Sequence, residues 1–340
     1  MDKAVSVFVL GNHVQACCWH VQRLPKAGET FQATGLSVEP GGKGFNVAIG
    51  LRRLGLNVQV MIGCGQDGAA QELLKVLQHE GLSTRHVIQF PGASGWGAGL
   101  IGADGQNAIA VYPGANLLLA PSHVQTAKAQ IEASQLVYGQ FETSVSAVAE
   151  AFAIAHAAGI VTVLNPSPWQ QPPDSLLHST HTVLVNETEA QALLGVEAPW
   201  PSEWPQMQTD IESQLTTFWQ GWPAAQQLVI TLGEQGAAMY WREPASHCGV
   251  RGLYMPAPAI QALDTVGAGD AFASGFVATW LAQQNTAMSN LKRCQVALEQ
   301  AHVCGAHLAA TQGVLDALPH AAQMIELRER YRPGQALSIA

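Results

Sequence analysis

The sequence predicts an α/β protein built on a mostly parallel central sheet, and three observations lead to that prediction. From about residue 120, short apolar runs such as LVYG, IVTVLNP, HTVLVN and QLVITLG alternate with helical patterns, which is typical of βαβ units. The earlier runs AVSVFVLG and NVQVMIG end at glycine and are rich in β-branched residues, as buried strands are. Extended pieces near 14–38 and 96–112 interrupt this order and predict a small second sheet that stands off the main one.

The other elements are predicted from periodicity and from signals that end helices. KGFNVAIGLRRLG and AAQELLKVLQHEG have helical periodicity and stop at Gly55 and Gly81, where glycine favours a helix end. Residues 198–225 hold four Trp and four Pro, and we expect an excursion with a short helix there. The residues after about 330 are expected to form a loosely held tail.

Composition excludes some classes of partner. The chain has 340 residues, a net charge of -9 and only 12% charged residues, which argues against nucleic acid or an anionic membrane as the main partner. None of the six cysteines forms a C-x-x-C pair. Reduced thiols in a cytoplasmic protein are therefore the prediction.

Two glycine-rich motifs are ambiguous on their own. GCGQDG, residues 63–68, matches G-x-G-x-x-G, but no acidic residue follows about twenty positions later at a strand end. A structural turn is therefore favoured over a dinucleotide site. GGKGFN, residues 41–46, opens a predicted helix, and its glycines let backbone approach a ligand while Lys43 adds a cation and Asn46 an amide. That motif fits a ligand site and a plain turn equally well.

The segment DTVGAGD, residues 264–270, indicates phosphoryl transfer. Gly267, Ala268 and Gly269 leave N–H groups unobstructed at a predicted helix start, where free donors and the positive end of the helix dipole favour an anion. Phosphoryl transfer needs positioning, neutralised phosphate charge and a carboxylate that accepts the hydroxyl proton. Asp270 stands where such a base is required, although an aspartate that merely stabilises the helix start is the simpler alternative.

With these motifs the chain resembles the ribokinase-like (PfkB) family of sugar kinases, and most closely its ribokinase branch, over residues 4 to 320. GGKGFNVAIGLRRLG and DTVGAGDAFASGF resemble the family's two diagnostic motifs, and LPKAGET, VYPGAN, LNPSP, VNETEA and VITLGEQG recur in the family's order. The resemblance implies a three-layer αβα sandwich with a small β lid. It implies one kinase domain over 1–330, with lid segments at about 12–40 and 90–115, and a tail over 331–340.

The resemblance also implies roles for single residues. Asp270 would be the catalytic base, with Gly267, Ala268 and Gly269 as the anion hole for the transferred group. Glu189 would organise Mg²⁺ through water, and Asp264 matches the place of a monovalent cation such as K⁺. The positions that match sugar contacts are Gly42, Lys43, Asn46, Glu142 and Asp270. The positions that match contacts with ATP are Asn186, Thr231, Gly233, Gly267, Gly269 and His302.

One stretch departs from the ribokinase pattern. There the first strand is followed by roughly G-S-I-N-A-D, whose Asn and Asp hold sugar hydroxyls, and an ungapped alignment puts Val14 and Ala16 at those two positions. A buried hydroxyl without a partner costs about 1–3 kcal/mol, so we expect unmodified ribose to bind poorly. Asn12, His13 and Gln15 would supply polar groups if the register were shifted.

The sequence therefore predicts a cytoplasmic, ATP- and Mg²⁺-dependent kinase that phosphorylates a hydroxyl of a sugar or sugar-like acceptor. We expect a homodimer that binds neither nucleic acid nor membrane. Two alternatives stay open: a nucleoside or modified-pentose kinase, and a catalytically weak, sugar-binding regulatory relative. An acceptor screen with ATP and Mg²⁺ separates them.

Overall fold

The computed structural model describes residues 6–103, 106–196, 200–201, 203–243, 249–284 and 286–339. Its strands are β1 (Ser6–Leu10), β2 (Val14–Val21), β3 (Gly35–Gly41), β4 (Asn57–Cys64), β5 (Val87–Gln89), β6 (Gly95–Gly102), β7 (Asn107–Tyr112), β8 (Leu136–Gln140), β9 (Val161–Asn165), β10 (Thr182–Asn186), β11 (Gln227–Thr231), β12 (Ala237–Arg242), β13 (Val250–Met255) and β14 (Leu337–Ile339).

Its α-helices surround these strands. They are α1 (Lys43–Arg53), α2 (Gly68–His79), α3 (Pro121–Gln125), α4 (Lys128–Glu132), α5 (Val145–Ala157), α6 (Asp174–Leu177), α7 (Glu187–Leu194), α8 (Trp204–Gly221), α9 (Ala268–Ala282), α10 (Asn290–Ala309) and α11 (Met324–Arg330). Among the described residues, no helix combines the length and hydropathy that a membrane span requires.

The main sheet has ten strands in the order β14-β13-β12-β11-β10-β9-β8-β1-β4-β5. Pairing is parallel from β5 through β11, while β12, β13 and β14 are antiparallel. Side chains of a buried strand alternate between its two faces. Val7 and Val9 accordingly pack in one apolar core with α1, α9 and α10, and Phe8 and Leu10 in a second core with α5 and α8. The predicted three-layer αβα sandwich with a mostly parallel sheet is confirmed.

A second sheet, which we call the lid, has the strand order β3-β2-β6-β7. It is formed by the two segments that interrupt the βαβ alternation in the sequence. One face of the lid, here called the outer face, carries large apolar side chains that are at least one third exposed. They are Trp19, Leu36, Val38, Trp96 and Tyr112.

Two segments differ from the sequence prediction. Helix α8 is an 18-residue helix rather than a short one, because its Trp and Pro residues are confined to the ends and Met207, Ile211, Leu215 and Phe218 form an apolar stripe between them. The start of the predicted excursion, at 198–199, lies outside the described residues. The predicted tail contains β14, which pairs with β13 and buries Ile339. Its three residues are too short a pattern to identify from the sequence.

Helices α1 and α9 pack closely because both present small residues at their contact. A Cβ added at Gly50 of α1 would lie 2.9 Å from Cβ of Ser274 and closer still to its Oγ. Ser274 is buried, and its Oγ donates to the carbonyl oxygen of Asp270 at 2.8 Å. This contact fixes the position of the first turns of both helices relative to each other.

We therefore expect Gly50→Ala to destabilise the protein by about 1–3 kcal/mol, the usual cost of an overpacked core contact. Gly68→Ala is the matched control, because it adds the same methyl to a helical glycine with nothing within 4 Å of the new Cβ. Denaturant unfolding of both variants measures the effect. Equal stability of the two variants would show that the α1–α9 contact has room to spare.

Candidate active site

The polar residues predicted for the site lie at one edge of the main sheet. Glu142 follows β8, Asn186 ends β10 and Thr231 ends β11. The carboxyl ends of parallel strands meet at the same edge, where α/β proteins bind ligands. The first turn of α1, with Lys43, and the first turn of α9, with Asp270, adjoin this edge, since both groups interact electrostatically with Glu142 and Glu189.

Asp270 is a buried carboxylate with an unusual protonation equilibrium. It is 7% exposed, and Asn46 Nδ2 donates to its Oδ2 at 2.8 Å. Burial raises the pKa of Asp270 to about 6, against the lowering effects of Lys43 and Asn46 and with smaller raising effects from Glu142 and Glu189. A carboxyl group with that pKa is mostly ionised at pH 7 yet basic enough to accept a proton.

The start of α9 offers backbone donors beside this carboxylate. Gly267, the N-cap, has φ 80°, and a Cβ there would lie 2.5 Å from Cγ1 of Val314, so the position requires glycine. The N–H of Ala268 donates to the carbonyl oxygen of Thr265 at 3.2 Å. Within the described part of the chain, the N–H groups of Gly267 and Gly269 have no acceptor. The N–H groups of Gly267 and Gly269 are therefore available to an anion, and that of Ala268 would first have to leave its bond to Thr265.

On the other side of Asp270, a hydrogen-bond network fixes Glu142. Asn12 Nδ2 donates to Glu142 Oε2 at 2.8 Å, and Gln140 Nε2 donates to Asn12 Oδ1 at 2.9 Å. Gln140 Oε1 in turn accepts the N–H of Glu142. Asn12 Oδ1 also accepts the N–H of Gly44 at 3.0 Å, which ties α1 to the ends of β1 and β8.

Gln140 was not predicted as a site residue, and Asn12 was considered only for a shifted register, although both are fully buried and hold Glu142 in place. The available signal was a polar residue shortly after an apolar strand, as for Asn12, or at its end, as for Gln140.

Lys43 and Gly42 complete this side of the site. Burial lowers the pKa of Lys43, but Asp270, Glu142 and Glu189 together outweigh it, and the pKa is raised. The ammonium group is therefore held charged among three carboxylates. Gly42 has φ 119°, and a Cβ there would lie 2.7 Å from the carbonyl oxygen of Asn12, so the turn into α1 also depends on glycine.

The start of α7 holds the two predicted residues of the NETE motif. The Asn186 side chain accepts the N–H of Glu189 at 2.9 Å, and Glu189 Oε2 accepts the N–H of Asn186 at 3.0 Å, which is a capping box. On the neighbouring strand, Thr231 Oγ1 donates to the carbonyl oxygen of Val185 at 3.4 Å. Gly233 is exposed beside it.

Two further predicted residues lie at the margin of the site. Asp264 Oδ1 accepts the N–H of Val266 at 2.9 Å, and the N–H of Asp264 donates to the carbonyl oxygen of Ala309. His302 is only 5% exposed, packs edge-on against Phe272 and has its pKa lowered to about 4 by burial. It therefore offers a neutral, mostly enclosed ring.

Strand β2 determines which residues of the lid face the site. Val14 pairs with Gly41, directly before Gly42, and Ala16 pairs with Glu39. Side chains alternate along a strand, so Val14, Ala16 and Cys18 share one face, while Gln15 lies on the opposite one. Cys18 is close enough to Asp264 for that carboxylate to contribute to the raised pKa of its thiol, after larger contributions from burial, Cys17 and Glu39. This face, here called the inner face, is the one turned towards the site.

A carboxylate that can accept a proton, beside free N–H groups at a helix start, suits the needs of phosphoryl transfer to a hydroxyl. The model of the pfkB family carbohydrate kinases matches residues 6–321. The chain belongs to this family and is an ATP-dependent kinase of a sugar or sugar-like acceptor.

Curated relatives agree with that assignment, and a solved structure shares the fold. The chain is 32% identical to ribokinase of Staphylococcus aureus (strain COL) over 259 residues, which cover 76% of this chain and 80% of the relative. It is 27% identical to deoxyribokinase of Salmonella typhi over 274 residues, 80% of this chain and 84% of the relative. A structure of Arabidopsis thaliana ribokinase complexed with ribose and ATP superimposes with a TM-score of 0.81 at 23% identity, covering 96% of this chain and 99% of that one.

The pKa of Asp270 predicts how its substitution changes stability. The pKa is about 6 in the folded state and about 3.9 in an unfolded chain, so the folded state binds more protons between these values and its stability falls as pH rises through them. The amide that replaces the carboxyl group in Asp270→Asn cannot ionise. At about 1.4 kcal/mol per pKa unit, this variant should be about 2–3 kcal/mol more stable than wild type at pH 8 and no more stable near pH 4.

Denaturant unfolding at the two pH values measures this difference. A variant that gains the same stability at both would show that the native carboxylate is not destabilised by burial.

Proposed function

We propose that Asp270 is the general base that accepts the proton of the acceptor hydroxyl as that oxygen attacks the γ-phosphoryl group of ATP. The observation that carries this proposal is the position of a buried carboxylate, held by Asn46, at a helix start with free N–H groups. The N–H groups of Gly267 and Gly269 stabilise charge on the transferred group. The hydrogen bond from Asn46 directs the other carboxylate oxygen, Oδ1, to the hydroxyl.

We propose that Glu142, Lys43, Gly42 and Asn46 bind the acceptor. Asn46 Oδ1 is buried and has no hydrogen-bond partner in the described part of the chain, although buried amide oxygens are normally satisfied. A hydroxyl of the acceptor supplies the missing donor. Glu142, already oriented by Asn12, accepts a second hydroxyl, and Lys43 keeps the local charge balanced.

The nucleotide is assigned to the edge formed by the ends of β10 and β11. Asn186, Thr231 and Gly233 line this edge, and His302 stays a candidate for the adenine side. Bound Mg²⁺ neutralises charge on the nucleotide phosphates. The described residues hold no cluster of three His, Cys, Asp or Glu that could bind a metal, yet Glu189 fits because Oε1 is not used by its capping bond and Mg²⁺ commonly keeps waters.

Asp264 is assigned to a monovalent cation such as K⁺ beside the anion hole. It carries a half-buried carboxylate, of which Oδ1 is engaged by the N–H of Val266. The other carboxylate oxygen and nearby backbone carbonyls, including those near Gly313, provide the oxygen ligands that such an ion takes. Activity measured with K⁺ and with larger organic cations tests this assignment.

For the acceptor we favour a pentose, as in the ribokinase and deoxyribokinase relatives. A nucleoside or modified pentose is the second candidate, because the inner face presents the apolar or small side chains of Val14, Ala16 and Cys18 next to the site. A screen of pentoses, hexoses, ketoses and nucleosides with ATP and Mg²⁺ separates the two.

We also propose that the protein is a homodimer joined through the outer face of the lid. Trp19, Leu36, Val38, Trp96 and Tyr112 expose there a contiguous apolar surface of the kind that marks a protein contact. The cytoplasmic location stays a prediction from the cysteine pattern.

Asp270→Asn should lower kcat by about 10²–10⁴, the usual contribution of a general base, with little change in ATP affinity. Because the base must be ionised and the pKa of Asp270 is about 6, wild-type kcat/KM for the acceptor should fall as pH drops below about 6. Steady-state kinetics from pH 5 to 9 test both. A variant with near-normal turnover removes Asp270 from this role.

Glu189→Gln should raise the Mg²⁺ concentration needed for half-maximal activity more than it changes acceptor KM. The amide oxygen of Gln retains the bond to the N–H of Asn186, so helix α7 keeps its cap while the charge is lost. Titration of activity with Mg²⁺ at saturating acceptor measures the shift. Unchanged Mg²⁺ dependence together with a collapse of acceptor affinity would contradict the assignment.

A further inference from the structure

The inner face of the lid is almost without polar side chains near the site. Strand pairing defines its members, since residues opposite each other in register share a face. On β2 and β3 they are Val14, Ala16, Cys18 and His20, and Gly35, Ser37, Glu39 and Gly41. On β6 and β7 they are Gly95, Gly97, Gly99 and Ile101, and Val111 and Ile109.

Glu39 is the one carboxylate in this set. It stands directly across from Ala16, whose methyl group leaves the space above it open. Opposed Cβ atoms on neighbouring strands are about 4.5–5.5 Å apart, so the Glu39 side chain reaches the space that a longer side chain at position 16 would fill. The pair Ala16–Glu39 lies two positions along the strands from the pair Val14–Gly41. Two positions correspond to a rise of about 7 Å.

The carboxylate of Glu39 is free and lies on the inner face of the lid. Glu39 is exposed and makes no hydrogen bond or ion pair with the residues that the structure describes. Both Glu39 and Asp264 contribute to the raised pKa of the Cys18 thiol, after burial and Cys17. Cys18 therefore lies close to two carboxylates, Glu39 of the lid and Asp264 in the segment between β13 and α9.

We propose that Glu39 binds a hydroxyl of the acceptor from the lid and is a specificity-determining residue of this kinase. The proposal rests on the proposed function, because it takes the site of Asp270, Asn46 and Glu142 as the acceptor site. It means that the acceptor carries a hydroxyl on the side that faces the lid. The acceptor then meets a carboxylate on each of two sides, from Glu39 of the lid and from Glu142 at the edge of the main sheet.

With Glu39 in this role, only one of the two sugar-binding side chains that are absent at Val14 and Ala16 lacks a replacement. The carboxylate that is absent at position 16 is supplied across the strand pair by Glu39, while the amide absent at position 14 has no such replacement on this face. Adding Ala16→Asp to the wild-type protein would therefore set two carboxylates opposite each other. Like charges directly opposed on neighbouring strands destabilise a sheet. Ala16→Asp should therefore not lower the KM of the acceptor.

The experiment compares four proteins with the acceptor of highest kcat/KM from a panel of pentoses, hexoses, ketoses and nucleosides. They are wild type, Glu39→Ala, Ala16→Asp, and the double variant Glu39→Ala with Ala16→Asp. Glu39→Ala should raise acceptor KM about tenfold to a hundredfold, which is the usual effect of losing a hydrogen bond to a charged group, with ATP KM unchanged. The double variant should recover most of that loss, while Ala16→Asp alone should bring no gain.

Glu29→Ala is the matched control, since Glu29 is an exposed carboxylate in the connection between β2 and β3 that pairs with Arg23. It should leave acceptor KM unchanged. An unaltered acceptor KM in Glu39→Ala overturns the inference, and so does an equal gain from Ala16→Asp with and without Glu39. If Glu142→Gln also leaves acceptor KM unaltered, the proposed acceptor site is wrong as a whole, whereas a loss in Glu142→Gln alone removes only the role of Glu39.

Discussion

The close contact between α1 and α9 is the constraint on which the site depends. Gly50 lets the helices approach until Ser274 fills the space between them, and this approach brings Asn46 within hydrogen-bond distance of Asp270. The same contact removes Asp270 from water, which raises its pKa to about 6. Packing, rather than any residue unique to the site, thus produces a carboxylate basic enough to accept a proton at neutral pH.

Much of the fold could be predicted from the sequence because its signals are local. Each parallel strand is a short apolar run, and the polar residue that ends it, such as Asn186 or Thr231, is placed at the sheet edge by topology alone. The glycines at Gly42 and Gly267 also have a local cause, a positive φ, although the crowding of their Cβ positions comes from distant residues, Asn12 and Val314. Strand β14 has no such signal, because its three residues gain their structure only by pairing with β13.

The parts of the site that could not be predicted depend on contacts distant in sequence. In the sequence Asn12 is a polar residue shortly after β1, and only the fold shows that its side chain contacts Gln140 and Glu142. In the same way, only the register of β2 and β3 shows that Glu39 lies opposite Ala16. A register is determined by the whole lid, and a shift of one residue in β3 would turn Glu39 to the other face. No single-sequence pattern contains that information.

The residues around Asp270 are more tightly constrained than those of the lid. The sequence therefore indicates the reaction more clearly than the acceptor. Asp270, Asn46 and Asn12 are buried and hydrogen-bonded within packed elements, so a change at one of them leaves a partner unsatisfied. Ala16 and Glu39 lie on a strand pair open to the cleft, where one side chain can replace another at little cost in stability. A carboxylate can therefore move across the lid from one strand to its neighbour while the proposed base, Asp270, and the proposed anion site at Gly267 and Gly269 stay in place.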